Sequence, residues 1–359
     1  MSYVFPVPRR NNAFPTLAVL AMASFWGMIC AAGCGEAPPL GEREFRKGVS
    51  LGLYASSPYY DYEPLIDEIA DLGANSISFV IALAQENVES SAVVQDETRS
   101  VPEKALRLSI RRARGRGLEV MLLPIVLLKD DSDGQEWRGT LRPKDLDAWF
   151  ASYGEHLLAY ARIAEEEGAA WLSIGSELCS LEKHSDRWRS LIADVRAIYK
   201  GKLIYSANWD RLDTLQVWIY LDAMGMSGYF ELAKTTEPAP EELARSWDYW
   251  RKEIRRQREA LGVKHVPLMF TELGYPSQDG AARYPWDYTL GRPIDLEEQT
   301  MCFEAFFDAW RDDPSLRGVY VYNWFGVGGP EDGDYTPRGK PAAKVIQREF
   351  AQWGKGGER

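Results

Sequence analysis

Two glutamates are marked by what precedes them. Glu177 closes the run Trp171-Leu172-Ser173-Ile174-Gly175-Ser176, and Glu272 follows Pro267-Leu268-Met269-Phe270-Thr271. A carboxylate directly after a buried run sits at the edge of a core, where its surroundings set its protonation. One such glutamate is as readily a helix-terminal residue or the partner in a loop ion pair. Two facing one cavity suit glycosidic hydrolysis: one attacks the sugar carbon, and the other protonates the departing oxygen and later activates water. Retention needs the carboxyls about 5–5.5 Å apart and inversion about 6.5–9.5 Å, so the fold must bring the two residues together. Glu86, Asp210, Asp287 and Asp334 are other acids in the chain, but none has a matching partner after an apolar strand.

The elements that would do this can be marked along the chain. Eight β-rich runs occupy Gly48–Tyr54, Asn75–Leu83, Leu118–Val126, Ala170–Gly175, Lys202–Ala207, Leu221–Ser227, Val266–Thr271 and Leu316–Asn323. Most are continuously apolar rather than alternating, as in strands covered by helices on an outer face and packed again within. Helical periodicity lies between them, over Glu63–Leu72, Glu103–Arg116, Pro143–Glu167, Asp186–Tyr199, Pro240–Leu261, Leu296–Trp310 and Lys340–Trp353. Pro143 is placed in the first turn of its helix, and Gly73, Gly117 and Gly168 each follow a helix end. Asp210–Trp218 leaves room for only a turn or two. Strand and helix alternating eight times predict an α/β protein of the (β/α)8 TIM-barrel type. The competing doubly wound sheet lacks its usual motive, since neither GxGxxG after an early strand nor GxxxxGK[ST] is present. In a barrel the ends of strands four and seven face each other across the mouth.

Composition excludes several other classes. With 42 basic and 53 acidic residues, the net charge of -11 opposes nucleic-acid binding and offers no broad cationic face to a membrane. Three His and four Cys, without CxxC or HExxH, argue against a dense zinc site, and the expected chemistry uses no metal or organic cofactor. Thirteen Trp, eighteen Tyr and thirteen Phe fit a large core and also suit the apolar faces of sugars. At the N-terminus, Arg9 and Arg10 precede an apolar run from Ala13 to Gly33, the pattern of a signal peptide. Ala31-Ala32-Gly33-Cys34 resembles a bacterial lipoprotein processing box, with Cys34 the lipidated residue. The expected organisation is a signal over 1–33, a short tether over 34–46 and one barrel domain over 47–355. The protein is then an exported envelope lipoprotein touching the membrane only through its anchor; a plain secretion signal and a retained anchor are the alternatives.

The chain resembles the clan A of retaining barrel glycosidases and, within it, the β-mannanases of glycoside hydrolase family 113. The resemblance runs from Lys47-Gly48-Val49 to Gly339-Lys340-Pro341-Ala342. It is carried by Gly175-Ser176-Glu177-Leu178, Thr271-Glu272-Leu273-Gly274-Tyr275, Tyr322-Asn323-Trp324-Phe325 and Asp334-Tyr335-Thr336-Pro337-Arg338-Gly339. It implies Glu177 as general acid/base and Glu272 as nucleophile. Tyr229 matches a strand-six tyrosine that orients the nucleophile, and Trp324 matches a strand-eight indole that floors the sugar. Asn208 and Trp209 are expected in the sugar groove. Ser176 stands where much of the clan has an Asn that contacts the sugar 2-hydroxyl; the mannanase family also lacks that Asn.

The implied substrate is β-1,4-linked mannan, glucomannan or a manno-oligosaccharide. Glu272 is expected to be ionised with a low pKa, and Glu177 to begin protonated. Long insertions at Gln85–Pro102, Lys129–Arg142 and Gly274–Asp295 carry Trp137, Tyr284, Trp286 and Tyr288 as sugar-stacking rings or surface packing. A β-glycosidase acting on another hexosyl polymer or oligosaccharide, and a surface carbohydrate-binding barrel without turnover, remain the other readings.

Overall fold

The computed structural model describes residues 44–353 other than 56, 58, 131–135 and 290. The expected signal segment and Cys34 lie outside the described residues. Eight parallel strands form the sheet: β1 (Arg46–Gly52), β2 (Ser76–Gln85), β3 (Glu119–Leu128), β4 (Trp171–Ser176), β5 (Lys202–Ala207), β6 (Ala223–Ser227), β7 (Leu268–Leu273) and β8 (Leu316–Val321). Each pairs with the next in chain order, and β1 pairs with both β2 and β8, so the sheet closes into a barrel. The strands fall where the apolar runs predict them, and most of their residues are buried. A further two-residue strand, Val93–Val94, runs antiparallel to the end of β2.

Outside the barrel lie α1 (Glu63–Asp71), α2 (Glu103–Gly115), α3 (Leu146–Glu167), α4 (Ser185–Ile198), α5 (Pro240–Ala260), α6 (Leu296–Trp310) and α7 (Pro341–Gln352). The β5–β6 connection holds only a single 3-10 turn, Trp218–Tyr220, as its short length requires. The largest shift of a helix boundary is at the start of α3. Helix α3 starts at Leu146, because Asp145 is extended and its side chain accepts from the Ala148 N–H at 2.9 Å. An acceptor that meets an orphan amide sets the start more strongly than a nearby proline, so Pro143 precedes the helix. Asp295 caps α6 in the same way, accepting from Glu298 N at 2.8 Å.

The larger core lies between strands and helices, with Leu51, Ile77, Trp149, Trp188, Trp247 and Phe306 among its fully buried members. Inside the barrel a smaller layer joins Met121, Trp171, Ile204, Met269 and Tyr320. At the N-terminal ends of the strands this layer is sealed by polar groups. Arg46, 1% exposed, donates to Glu119 at 3.0 Å, Trp171 Nε1 donates to the same carboxylate at 2.8 Å, and the Ser76 and Tyr320 hydroxyls meet at 2.8 Å. This closes the end away from the site. Glu119→Ala should leave the Arg46 charge buried and unpaired and cost about 3–5 kcal/mol of stability. Urea unfolding followed by circular dichroism should show the lowered midpoint; an unchanged midpoint would mean that the pair contributes nothing.

Candidate active site

Glu177 and Glu272 come to the C-terminal mouth of the barrel by different local routes. Glu272 lies inside β7, which runs on to Leu273, whereas Glu177 directly follows β4. Strand pairing slips at these ends, between Ser173 and Ser176 on β4 and between Met226 and Ser227 on β6. Such irregularities re-aim side chains without unfolding the strand. Glu177 is also left-handed, with φ 52°, the sole non-glycine residue with positive φ among the described residues. A side chain at such a φ is disfavoured and persists where its surroundings over-determine it. Its amide donates to Ser206 O at 2.8 Å.

Both carboxylates are buried, Glu177 to 4% exposure and Glu272 to 3%. Tyr229, from the end of β6, donates its hydroxyl to Glu272 Oε2 at 2.9 Å. The sequence expectation for that tyrosine thus has its geometry. Ionisation differs from expectation. Burial pushes the Glu272 carboxyl up to about 7, Glu177 adds to the rise, and Arg138 and the Tyr229 hydrogen bond oppose it without cancelling it. Removal from water outweighs one guanidinium and one hydroxyl.

Arg138 was not among the residues the sequence singled out. Its Nη2 donates to Glu177 Oε2 at 2.5 Å. Burial works against its charge, and the carboxylates of Glu177 and Glu272 outweigh that, holding the guanidinium firmly protonated. The β3–α3 loop that carries it is stitched to the loop after β4: Ser180 N donates to Gly139 O at 3.1 Å, and Ser180 Oγ to Leu141 O at 2.6 Å. Gly139 is needed because a Cβ there would stand 2.3 Å from the Trp137 ring. No periodicity or motif marks an arginine placed by contacts between two loops.

Trp324 departs from the role expected of it. Its indole N–H donates to Glu68 of α1 at 2.9 Å, its amide to Ser50 O at 2.8 Å, and its ring is 4% exposed within the outer core. The ring from this segment that senses the carboxylates is Tyr322, whose phenol is pushed up to about 12 by burial first and Glu272 next. Tyr322, Tyr229 and Tyr335 form an aromatic corner with centroids 5.6–6.4 Å apart. Tyr335 is fixed by donation to Pro285 O at 2.7 Å. Buried Lys340 ties its loop to the one after β7, donating to Ser277 Oγ at 2.7 Å and Asp334 O at 2.9 Å.

Ser176 is buried beside Glu177, and its hydroxyl has no partner among the described residues. Asn208 is half-buried, its amide nitrogen bonded to Asp210 at 2.7 Å. Trp209 and Trp286 stack on each other with centroids 5.8 Å apart and 15° between planes, leaving Trp286 45% exposed. The structure thus brings Glu177, Glu272 and Tyr229 together and adds Arg138 and Tyr322, while Trp209 and Trp286 form a separate stacked pair.

Among the described residues, one acidic group has the spacing of metal ligands: Asp279, Asp295 and Glu298, with oxygens within 4.8 Å of one another. Those oxygens already serve the chain. Glu298 accepts from Gly280 N at 2.6 Å and Ala282 N at 2.8 Å, while Asp295 caps α6.

A closed parallel barrel with two buried glutamates at the ends of its fourth and seventh strands defines a glycoside hydrolase of the (β/α)8 type. The chain belongs to glycoside hydrolase family 113, whose family model matches residues 58–332. Among solved structures it is similar to the family 113 β-mannanase AaManA of Alicyclobacillus acidocaldarius, in complex with ManMIm. That likeness has 27% identity and a TM-score of 0.78, over 87% of this chain and 99% of that one. It is also similar to a family 113 β-1,4-mannanase, with 26% identity and a TM-score of 0.75, over 86% of this chain and 99% of that one. A Ruminococcus gnavus β-glucuronidase, 12% identical with a TM-score of 0.55 over 86% of this chain and 50% of that one, shares the fold alone. No curated protein matches the chain.

The raised Glu272 pKa has a consequence for stability. Stability linked to this group is fully present below the unfolded value of about 4.5 and is lost as pH rises through about 7. Glu272→Gln, neutral throughout, should therefore be more stable than the parent at about pH 8, by up to about 3 kcal/mol, and nearly equal to it at about pH 4. Thermal melts across that range would test this, and a gain independent of pH would contradict it.

Proposed function

We propose that this enzyme hydrolyses internal β-1,4-mannosidic bonds in mannan, glucomannan or manno-oligosaccharides with retention at the anomeric carbon. Glu272 is the nucleophile and Glu177 the general acid/base. The observation that carries this reading is the Tyr229–Glu272 hydrogen bond at 2.9 Å, with the charge of Glu177 acting on the same carboxylate from the end of β4. The β-mannanase likeness, spanning 99% of the related chain at 27% identity, supports the substrate class.

In the first step Glu272 attacks the anomeric carbon as the bond to the leaving oxygen breaks, and Glu177 gives that oxygen its proton. In the second, Glu177 takes a proton from water, which attacks the same carbon and releases Glu272 from the ester. The productive arrangement carries the proton on Glu177. Tyr229 holds the attacking oxygen in line. Tyr322 takes the flooring role expected of Trp324. Ser176 offers its free hydroxyl to the sugar, while Asn208, Trp209 and Trp286 serve more distant units of the chain.

The parent should release reducing sugar from β-1,4-mannan, and Glu272→Ala should lose nearly all of that activity. Azide should then restore turnover of an activated substrate and yield the α-glycosyl azide. Glu177→Ala should still form the glycosyl-enzyme from a substrate with a good leaving group, and azide should yield the β product. Proton NMR distinguishes the anomers: swapped configurations would reverse the roles, and full mannan hydrolysis by both variants would reject the pair.

Export through lipidation of Cys34 is part of the same proposal, supported by the sequence Ala31-Ala32-Gly33-Cys34. A fatty-acid label should mark the parent and not Cys34→Ser; labelling of neither would leave plain secretion.

A further inference from the structure

The left-handed turn at Glu177 has to be held, and the groups that hold it lie behind the site rather than in it. Glu177 N donates to Ser206 O at 2.8 Å, and the next amide, Leu178 N, donates to the Tyr205 hydroxyl at 2.9 Å. Both acceptors are on β5. A phenol hydroxyl has one proton, and it accepts reliably only when that proton is committed elsewhere. Here it is given to Glu182 Oε1 at 2.7 Å. The second oxygen of Glu182 accepts from the Thr214 hydroxyl. Glu182 is fully buried, and burial pushes its carboxyl up while the two hydroxyls pull it down.

The ring is equally constrained. Tyr205 is fully buried, edge-on to Trp188 at 5.7 Å and to Trp218 at 6.1 Å. A Cβ on Gly175 would stand 2.8 Å from the Tyr205 ring and 3.2 Å from Leu178 Cδ1. The glycine two residues before Glu177 is therefore what lets the phenol reach the Leu178 amide.

We propose that Tyr205 and Glu182 are positioning residues for the acid/base: Glu182 fixes the Tyr205 hydroxyl as an acceptor, and that hydroxyl holds the Leu178 amide and the left-handed turn of Glu177. This rests on the assignment of Glu177 as acid/base. A carboxyl that must protonate a departing oxygen is sensitive to small displacements, whereas attack by Glu272 on a substrate with a good leaving group is not.

The test compares two rates for each variant in the full chain, at a temperature where circular dichroism shows it folded. One is kcat on a manno-oligosaccharide; the other is the burst of dinitrophenolate from a dinitrophenyl β-mannoside. Glu177→Ala calibrates the assay: if it lowers both rates alike, the acid/base assignment itself fails. If it lowers kcat far more than the burst, Tyr205→Phe and Glu182→Leu should show the same asymmetry, with kcat down about 10- to 100-fold and the burst within about 2-fold of the parent. Glu182→Gln keeps an acceptor for Tyr205 and can donate to the Thr214 oxygen, so it should restore most of kcat. Thr214→Val, at a half-buried position, provides a milder variant if the buried changes prevent folding, and should show the asymmetry at reduced size. Equal losses of both rates, no loss at all, or Glu182→Gln as impaired as Glu182→Leu would each overturn the proposal.

Discussion

Two carboxylates withdrawn from water at one end of a barrel, with one guanidinium bonded to Glu177, are the condition to which the rest of the molecule answers. Charges of the same sign in a poorly solvated space repel strongly, and each has lost its hydration as well. Arg138 reduces that cost but does not remove it, and Glu272 remains raised to about 7. A retaining hydrolase requires that one of its two carboxyls begin as an acid. An aqueous pair, ionised at neutral pH, would have no proton to give.

The barrel separates this cost from its own stability. The N-terminal end of the strands carries a matched ion pair, Arg46 and Glu119, supported by Trp171 and joined by the Ser76–Tyr320 contact. The C-terminal end carries two acids against one base. The positive φ of Glu177 lies at that second end, as do the slips in strand pairing before Ser176 and Ser227. Around it the loops are bound to one another rather than only to the barrel: Ser180, on the loop after β4, bonds the β3–α3 loop, and Lys340, on the loop after β8, bonds Ser277 on the loop after β7.

How far the sequence reveals this depends on the range of the interaction that sets each feature. The eight strands were legible because burial on both faces writes itself into every residue of a run. Glu177 and Glu272 were legible as carboxylates where those runs end. Tyr229 was visible only through its family likeness, because its partner lies 43 residues away. Arg138 was not visible, since what places it is a pair of hydrogen bonds from Ser180 to Gly139 and Leu141, and many residue types could form them. The placement of Trp324 was not legible for a related reason: the alternation that would tell inward from outward lapses where the strand ends at Val321. Glu68, which takes the Trp324 indole, lies 256 residues earlier in the chain.

The same reasoning explains why Arg138 bonds Glu177 rather than Glu272 in the resting site. On the proposed roles, Glu177 is anionic when it works as a base, after Glu272 has become a neutral ester and its charge has gone. The Arg138–Glu177 contact is then the one ion pair left, and the resting geometry already has it. In the preceding step the proton is on Glu177, and the anion that Arg138 faces is Glu272, whose pKa it lowers. A single guanidinium within the field of both carboxylates therefore offsets whichever of them is charged in each half of the reaction. The charge of Arg138 thus stays in place while the negative charge it answers moves from one strand end to the other.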